Sequence, residues 1–402
     1  MDLTGGYPYW IVNSGLPVRF DPIERDIDCD VAIIGAGITG ALIARELVQA
    51  GFDTVVFDKR DAGWGSTSAS TALIQYEIDT ELADLSRQIG ESDAVTAYRA
   101  CEQAVLKLAA IAGEVRGSGF TRAGSLYIAS RRWHARRLRA EGALRLRHGF
   151  ELEILDPREL DQHFGIAAAV GLLSAVAGQV DPYRLALGLL SAARKRGAHV
   201  HDRSEVVRWQ VRPRGVDLLT ASGARVRCRH LVIAAGYESQ KYLPERVASN
   251  RSSYAIATEP LREAPIWLRD TLIWESARPY LYLRSTPDRR LVIGGEDDRV
   301  DIPVRRDARV AKKARRLMHK LNTLLPGLAV EPGFAWAGTF AETVDGLPYF
   351  GPHESHGPRV HFAMAYGGNG IVYSVIGAEI LRARIERRRH PLQDLFSFSR
   401  KS

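Results

Sequence analysis

Residues Asp30–Arg60 read DVAIIGAGITGALIARELVQAGFDTVVFDKR, and this stretch decides the fold. Val31-Ala32-Ile33-Ile34 is a short unbroken apolar run, the pattern of a parallel strand buried on both faces. Gly35, Gly37 and Gly40 follow at G-x-G-x-x-G spacing. Helical apolar periodicity runs from Ile38 to Gln49, and Gly51 stands where a helix ends in a left-handed residue. Thr54-Val55-Val56-Phe57 predicts a second strand, closed by Asp58. The glycines have separate tasks: the first permits the tight strand-to-helix turn, the second lets a pyrophosphate approach the backbone, and the third lets the helix pack on the strand. The helix N-terminus offers unpaired N–H groups to phosphates, and Asp58 can accept hydrogen bonds from a ribose. Strand, glycines, helix, second strand and acid occur in the required order, which predicts a dinucleotide site without separating FAD from NAD.

The remaining composition narrows the class. A chain of 402 residues that is 46% hydrophobic supports a large core and two or three domains. The net charge of +8 collects in Arg131–Arg147, Arg305–Arg316 and Arg382–Arg389. These read as solvated helix faces, since no aromatics interleave with them as a single-strand nucleic-acid surface requires. Cys29, Cys101 and Cys228 form no C-x-x-C pair, which argues against zinc or a disulfide framework and suits a reducing, cytoplasmic compartment. The first residues show no secretory pattern, and no apolar run is long enough to span a membrane. No metal site is expected.

Along the chain, residues 1–29 read as a lead-in with Tyr7, Tyr9 and Trp10 packed on the outside of the main domain. After Asp58 comes a small, hydroxyl-rich segment, Gly63-Trp64-Gly65-Ser66-Thr67-Ser68-Ala69-Ser70-Thr71-Ala72-Leu73, suited to close approach of a ligand. Residues 82–115 predict one or two helices, 124–129 a strand, 131–148 a charged helix, and 156–164 a short helix capped by Asp156. Asp181-Pro182 opens a further helix that ends near Gly197. Strands are predicted over 206–211, 216–220, 226–229 and 231–236, then over 254–259, 280–284 and 291–294. A basic helix is predicted over 305–324, and a final strand over 360–363 leads to Tyr366-Gly367-Gly368-Asn369-Gly370. The nearly all-apolar helix Ile371–Leu381 follows, its N-terminus a second anion-stabilising site.

With these pieces in place the chain resembles the FAD-dependent D-amino-acid oxidase superfamily, in the branch of glycine oxidase, sarcosine oxidase and gamma-glutamylputrescine oxidoreductase. The matching elements, in order, are VAIIGAGITG, VVFD, GSTSAST, GSLYIAS, GQVDPYRL, HLVIAAG, TEPL, LVIGGEDD, WAGTFAETVDGLPYFGP and AYGGNGI. The resemblance implies an α/β fold: a Rossmann-like FAD-binding domain with a mostly parallel sheet (residues 1–80, 166–250 and 328–402), interleaved with an α+β substrate domain on an antiparallel sheet (81–165 and 251–327). It implies FAD held by Gly35, Gly37, Ile38, Thr39 and Gly40 at the pyrophosphate, by Asp58 and Lys59 at the adenosine, and by Ser66, Thr67, Ser68, Thr71 and Leu73 along the pyrophosphate and the isoalloxazine. Val206 pairs its backbone with adenine, Ala235, Gly236 and Gly338 bound the cofactor, and Gly368, Asn369, Gly370 and Ile371 present N–H groups to the flavin N1–C2=O edge. The relatives' covalent attachment residues have no counterpart: the segment after the second strand holds no histidine and no cysteine is suitably placed, so the FAD is expected to be noncovalent.

The implied reaction is oxidation of an amine or amino-acid C–N bond, with hydride passing to flavin N5 and the imine hydrolysing in water. The electron acceptor is oxygen or a quinone or other electron carrier. Tyr254, Tyr280, Tyr282 and Arg284 fall on strands where the family builds its pocket, and alternation puts Tyr280, Tyr282 and Arg284 on one face. Tyr282, Arg284 and Tyr366 are the expected substrate-positioning residues, with Arg284 pairing a carboxylate. His163 and His361 read as structural, and Glu342 and Asp345 as braces for the C-terminal turn. A modified aminomethyl group on RNA, and a 2-hydroxy acid or glycerol phosphate, stand as alternative substrates.

Overall fold

The computed structural model describes residues 2–400 and has the mixed α/β architecture expected. One sheet has eight strands. Its parallel part runs in the order Val360–Met364, Arg225–Ile233, Ile27–Ile34, Thr54–Phe57 and His199–His201. Tyr349–Pro352 adds antiparallel at one edge, and the hairpin Val206–Arg212/Gly215–Thr220 pairs onto Arg225–Ile233. The run Val31–Ile34 is buried on both faces, as its lack of alternation predicts. Val31 and Ile33 join the core beneath the helices Ile38–Gln49, Pro182–Lys195 and Gly370–Ile385, whereas Ala32 and Ile34 join a second core with Val216, Leu218 and Phe362.

The other sheet has ten strands, all antiparallel except for one parallel pair, Thr271–Glu275 beside Thr121–Ile128. Its centre is Pro332–Glu342, Ser249–Thr258, Leu291–Asp298 and Leu281–Ser285. Period-two alternation divides its faces. Ile256, Leu283 and Ile293 pack with Leu317 and Leu321 of the helix Val310–Leu324, while the alternate residues Ser253, Ala255 and Tyr282 line a cavity on the opposite face.

Several sequence expectations need correction. Residues 2–14 are not an outer lead-in: Thr4–Gly6 pairs with Trp336–Gly338 as an edge strand, and of the three aromatics Tyr9 and Trp10 are buried while Tyr7 is exposed. The strands expected over 226–229 and 231–236 are one strand, Arg225–Ile233, whose two halves serve different neighbours. The helix expected over 305–324 is broken into Pro303–Asp307 and Val310–Leu324. Arg306 turns inward there, donating to the carbonyls of Asp2 and Thr4 and to the Thr339 hydroxyl. Gly171–Gln179 and Pro332–Glu342, which the sequence places within the cofactor-binding segments, are strands of the antiparallel sheet. Asp156 caps its helix as expected, in a full capping box, and Asp181 caps the helix that opens after it. Among the described residues no helix is long and apolar enough to cross a membrane, and no acidic, His or Cys group could hold a metal ion.

Candidate functional site

A single cavity runs from the C-terminal ends of the parallel strands to the inner face of the antiparallel sheet. At its first end, Gly35 leaves the strand at φ +117°, and a Cβ there would stand 2.2 Å from the Ala234 carbonyl oxygen. A Cβ on Gly40 would lie 1.8 Å from the Gly35 oxygen, so this glycine serves helix–strand packing and does not itself line the cavity. Gly37 is the helix N-cap, and the N–H of Ile38 donates to Thr67 Oγ1 at 3.0 Å. Other first-turn N–H groups have no partner within the helix and are open to an anion. Asp58 is half-buried with its carboxylate in the cavity wall; Oδ2 accepts from Ala36 N at 2.8 Å and Oδ1 from Arg60 N at 2.9 Å. Burial raises its pKa, opposed by those two N–H donors. Lys59 pairs with Glu238 at 2.8 Å, and Val206, Ala235 and Gly236 complete this end.

The hydroxyl-rich segment forms the middle of the wall. Ser66, Thr67, Thr71 and Leu73 line the cavity; Ser68 does not, being fully buried and donating to the Gly65 carbonyl. Three consecutive carbonyls of this segment are held by side chains from distant parts of the chain. Trp336 Nε1 donates to Ala69 O at 2.9 Å, Trp10 Nε1 to Ser70 O at 2.7 Å, and Arg284 Nε to Thr71 O at 2.6 Å. The Arg284 guanidinium expected to pair with a ligand carboxylate is thus turned to the backbone in this structure. It shares the face of Tyr282, but its other nitrogens donate to Val180 O at 2.7 Å and Ser285 O at 3.1 Å, and it lies outside the cavity lining. Burial pulls its pKa down to about 9, with Asp181 opposing, so it is a cation at neutral pH.

At the far end, Gly338, Tyr282, Tyr280, Trp274, Tyr366 and the turn Gly368–Ile371 come together. The Tyr282 ring lies over Gly294, its partner across the strands, where a Cβ would approach a ring carbon to 2.2 Å; its hydroxyl is 3.0 Å from Ser253 Oγ. Tyr366 is a wall residue whose hydroxyl donates to Gly236 O at 3.0 Å. The turn is braced from several sides. Gly367 N donates to Ala341 O, Gly368 N to Asp79 Oδ2 at 2.7 Å, and Asn369 Nδ2 to Glu77 O at 2.6 Å. Asp345 holds the preceding loop, accepting from Leu347 N and pairing with Arg400 at 2.7 Å, whereas Glu342 pairs with Arg251. Tyr254 faces the other side, toward Asp298, and His361 is buried against His230 away from the cavity.

Sequence reasoning missed Asp79 and Asp297, two carboxylates in this end of the wall. Asp297 sits inside the motif LVIGGEDD, but strict alternation would put it on the face of Ile293; the register shift between Gly295 and Asp298 turns it to the cavity side instead, and Asp79 belongs to no pattern. The residues present fit a flavin dinucleotide. The cradle is built of glycines whose added Cβ would clash, a helix N-terminus with first-turn N–H groups still open faces the middle, and the half-buried Asp58 carboxylate stands at the ribose end.

Comparison with known proteins agrees. The family profile described as "FAD dependent oxidoreductase" matches residues 30–384. The chain is 26% identical to gamma-glutamylputrescine oxidoreductase of Escherichia coli (strain K12) over 94% of this chain and 89% of that one. It is 28% identical to glycine oxidase of Geobacillus kaustophilus (strain HTA426) over 92% and 96%. The crystal structure of glycine oxidase from Geobacillus kaustophilus superposes with a TM-score of 0.76 at 23% identity, covering 93% of this chain and 99% of that one.

Proposed function

Since the chain belongs to the FAD-dependent oxidoreductase family, we propose that it oxidises the C–N bond of an amine or amino acid with noncovalently held FAD. The observation that carries this reading is the continuity of one cavity from the dinucleotide cradle to the aromatic face of the antiparallel sheet. FAD bound there would supply the acceptor for the hydride on the carbon next to nitrogen. Gly35, Gly37, Thr39, Ser66 and Thr67 would hold its pyrophosphate, Asp58 its ribose, and the Gly368–Ile371 turn its electron-rich edge.

The chain's own part is positioning and the exclusion of water. Tyr282, Trp274 and Gly338 wall the reacting end, and the pinned backbone of Ala69–Thr71 fixes that wall without further reorganisation. The imine product hydrolyses in water to a carbonyl compound and an amine or ammonia. Noncovalent binding is supported by the absence of His and Cys from the described residues lining the cavity. The names of the relatives, an amine oxidoreductase and a glycine oxidase, support the reaction class.

The test is anaerobic bleaching of the purified protein's flavin absorbance by a panel of amines, amino acids and 2-hydroxy acids, followed by admission of air. Bleaching by an amine or amino acid is expected, and the speed of recolouring in air tells oxygen from another electron acceptor. A yellow protein that only hydroxy acids bleach would overturn the reading.

A further inference from the structure

The substrate end of the cavity is acidic and lacks a counter-ion. Asp297, at the end of the strand Leu291–Asp298, and Asp79, just beyond Leu73–Gln75, both line it with Tyr280, Tyr282 and Trp274. One Asp297 oxygen, Oδ1, is buried without a hydrogen-bond partner. Asp79 spends one oxygen on the N–H of Gly368. A carboxylate oxygen buried without a partner is costly in general, and Asp79 stands near enough for its charge to act on Asp297, so this end of the cavity is built for something that neutralises them.

The cations nearby are committed elsewhere. Arg284 gives its guanidinium to three carbonyls. Arg251 pairs with Glu342; the exposed Arg278 lies 3.9 Å from the same Glu342 and 4.0 Å over the Tyr280 ring, and it reaches the Asp79 backbone carbonyl at 3.4 Å but not its carboxylate. The cavity-lining cations Lys59 and Arg60 stand on Glu238 at the adenosine end, and Lys241 is exposed over Tyr242. Among the described residues none forms an ion pair with Asp79 or Asp297. A substrate carboxylate placed here would meet two like charges and no lining cation, whereas an ammonium would meet two carboxylates and the faces of Tyr280 and Tyr282.

We propose that Asp297 and Asp79 bind the ammonium of a carboxylate-free di- or polyamine, which makes the substrate a cationic amine and not an amino acid. This rests on the amine-oxidising reading above and narrows it. Two further facts agree. Burial raises the Asp79 carboxyl, and burial with the neighbouring charges of Asp79 and Glu342 raises that of Asp297 to about 6. Among the groups acting on Asp297, Asp79 and Glu342 oppose its charge, the Ser253 hydroxyl and the more distant Arg278 favour it, and burial outweighs those two, so an arriving cation would relieve the site.

The experiment uses the FAD-loaded enzyme. Binding of 1,4-diaminobutane to the oxidised protein is measured by calorimetry at pH 7.5, beside anaerobic bleaching by 1,4-diaminobutane, spermidine, glycine, sarcosine, L-proline and D-alanine. The diamine or triamine is expected to bleach the flavin with at least tenfold higher kcat/KM than any amino acid. Asp297→Asn should weaken diamine binding at least tenfold with FAD retained, and Asp297→Glu should restore most of it. If Asp297→Asn does not fold, Asp297→Glu and the wild-type panel decide. Amino acids that bleach while both amines stay silent, or diamine binding indifferent to Asp297→Asn, would overturn this inference and leave the wider amine or amino-acid reading standing. A flavin bleached by none of the nitrogen compounds would overturn both.

Discussion

Replacing Arg284 by methionine separates two roles for a buried arginine, and the structure sets the size of the effect. The guanidinium donates to Thr71 O, Val180 O and Ser285 O. Each such charge-assisted bond contributes about 1.5–3 kcal/mol, so roughly 5–9 kcal/mol of gross interaction is lost. Removing a buried cation recovers several kcal/mol of desolvation, and methionine refills much of the stem's volume. The net loss should be ~2–4 kcal/mol, a fall in Tm of roughly 3–5 °C for a chain of this length. Freed from Arg284, the Thr71 carbonyl no longer fixes the cavity wall, and FAD affinity should fall about 5–50-fold, or ~1–2 kcal/mol. The assays are thermal unfolding with and without added FAD, flavin fluorescence titration of the apoprotein, and steady-state kinetics at saturating FAD, where KM for the reducing substrate should move less than about threefold. A KM raised a hundredfold with Tm and FAD affinity unchanged would refute this reasoning and return Arg284 to the role of a substrate carboxylate's partner.

Three further outcomes are expected. Asp58→Ala removes the acceptor for Ala36 N and Arg60 N as well as a ribose contact, and should weaken FAD binding by about 10–100-fold in the same fluorescence titration. Gly294→Val drives a side chain into the space of the Tyr282 ring and should cost about 1–3 kcal/mol in stability while shifting KM for the substrate; denaturant unfolding and kinetics read the two effects. The Asp297 carboxyl, raised by burial to about 6 from the usual 3.8, binds its proton more tightly in the folded state. That favours the fold below about pH 4 and the advantage is lost as the pH rises through 6, so Asp297→Asn should gain ~1–3 kcal/mol on wild type between pH 4 and pH 7.5 in paired unfolding curves. Equal differences at both pH values would show that Asp297 is not held in a desolvated site.

The parallel core was legible because its signals are local. An unbroken apolar run, three glycines and a terminal acid lie within about thirty residues, and strand, turn and helix appear where these put them. The helix caps at Asp156 and Asp181 are equally local. What escaped reading depends on partners far along the chain. Trp10 looked like an outer residue because nothing near it announces the Ser70 carbonyl it binds sixty positions later. Arg284 was placed on the right face by alternation, yet its fate was set by the carbonyls of Thr71 and Val180. Two strand segments over 225–233 were read as separate because His230 breaks the apolar pattern; the backbone pairing continues through it. Asp79 carries no motif and is found only once the turn at Gly368 folds back to meet it.

The way the chain shuttles between its two sheets also governs how it must fold. Strand Thr4–Gly6 pairs with residues 336–338, Ile27–Ile34 with 225–233, and Leu73–Gln75 with 177–179, so neither sheet is made from a continuous stretch. Such pairings close very long loops before any contact rewards them, the condition for slow folding through partly ordered species. A fragment cut before residue 332 would leave Ser249–Thr258 with an open edge beside an apolar face, and a fragment lacking 249–342 would strip away the wall that faces the glycine cradle. The two layers are therefore expected to unfold as one cooperative unit, and neither is a candidate for separate expression.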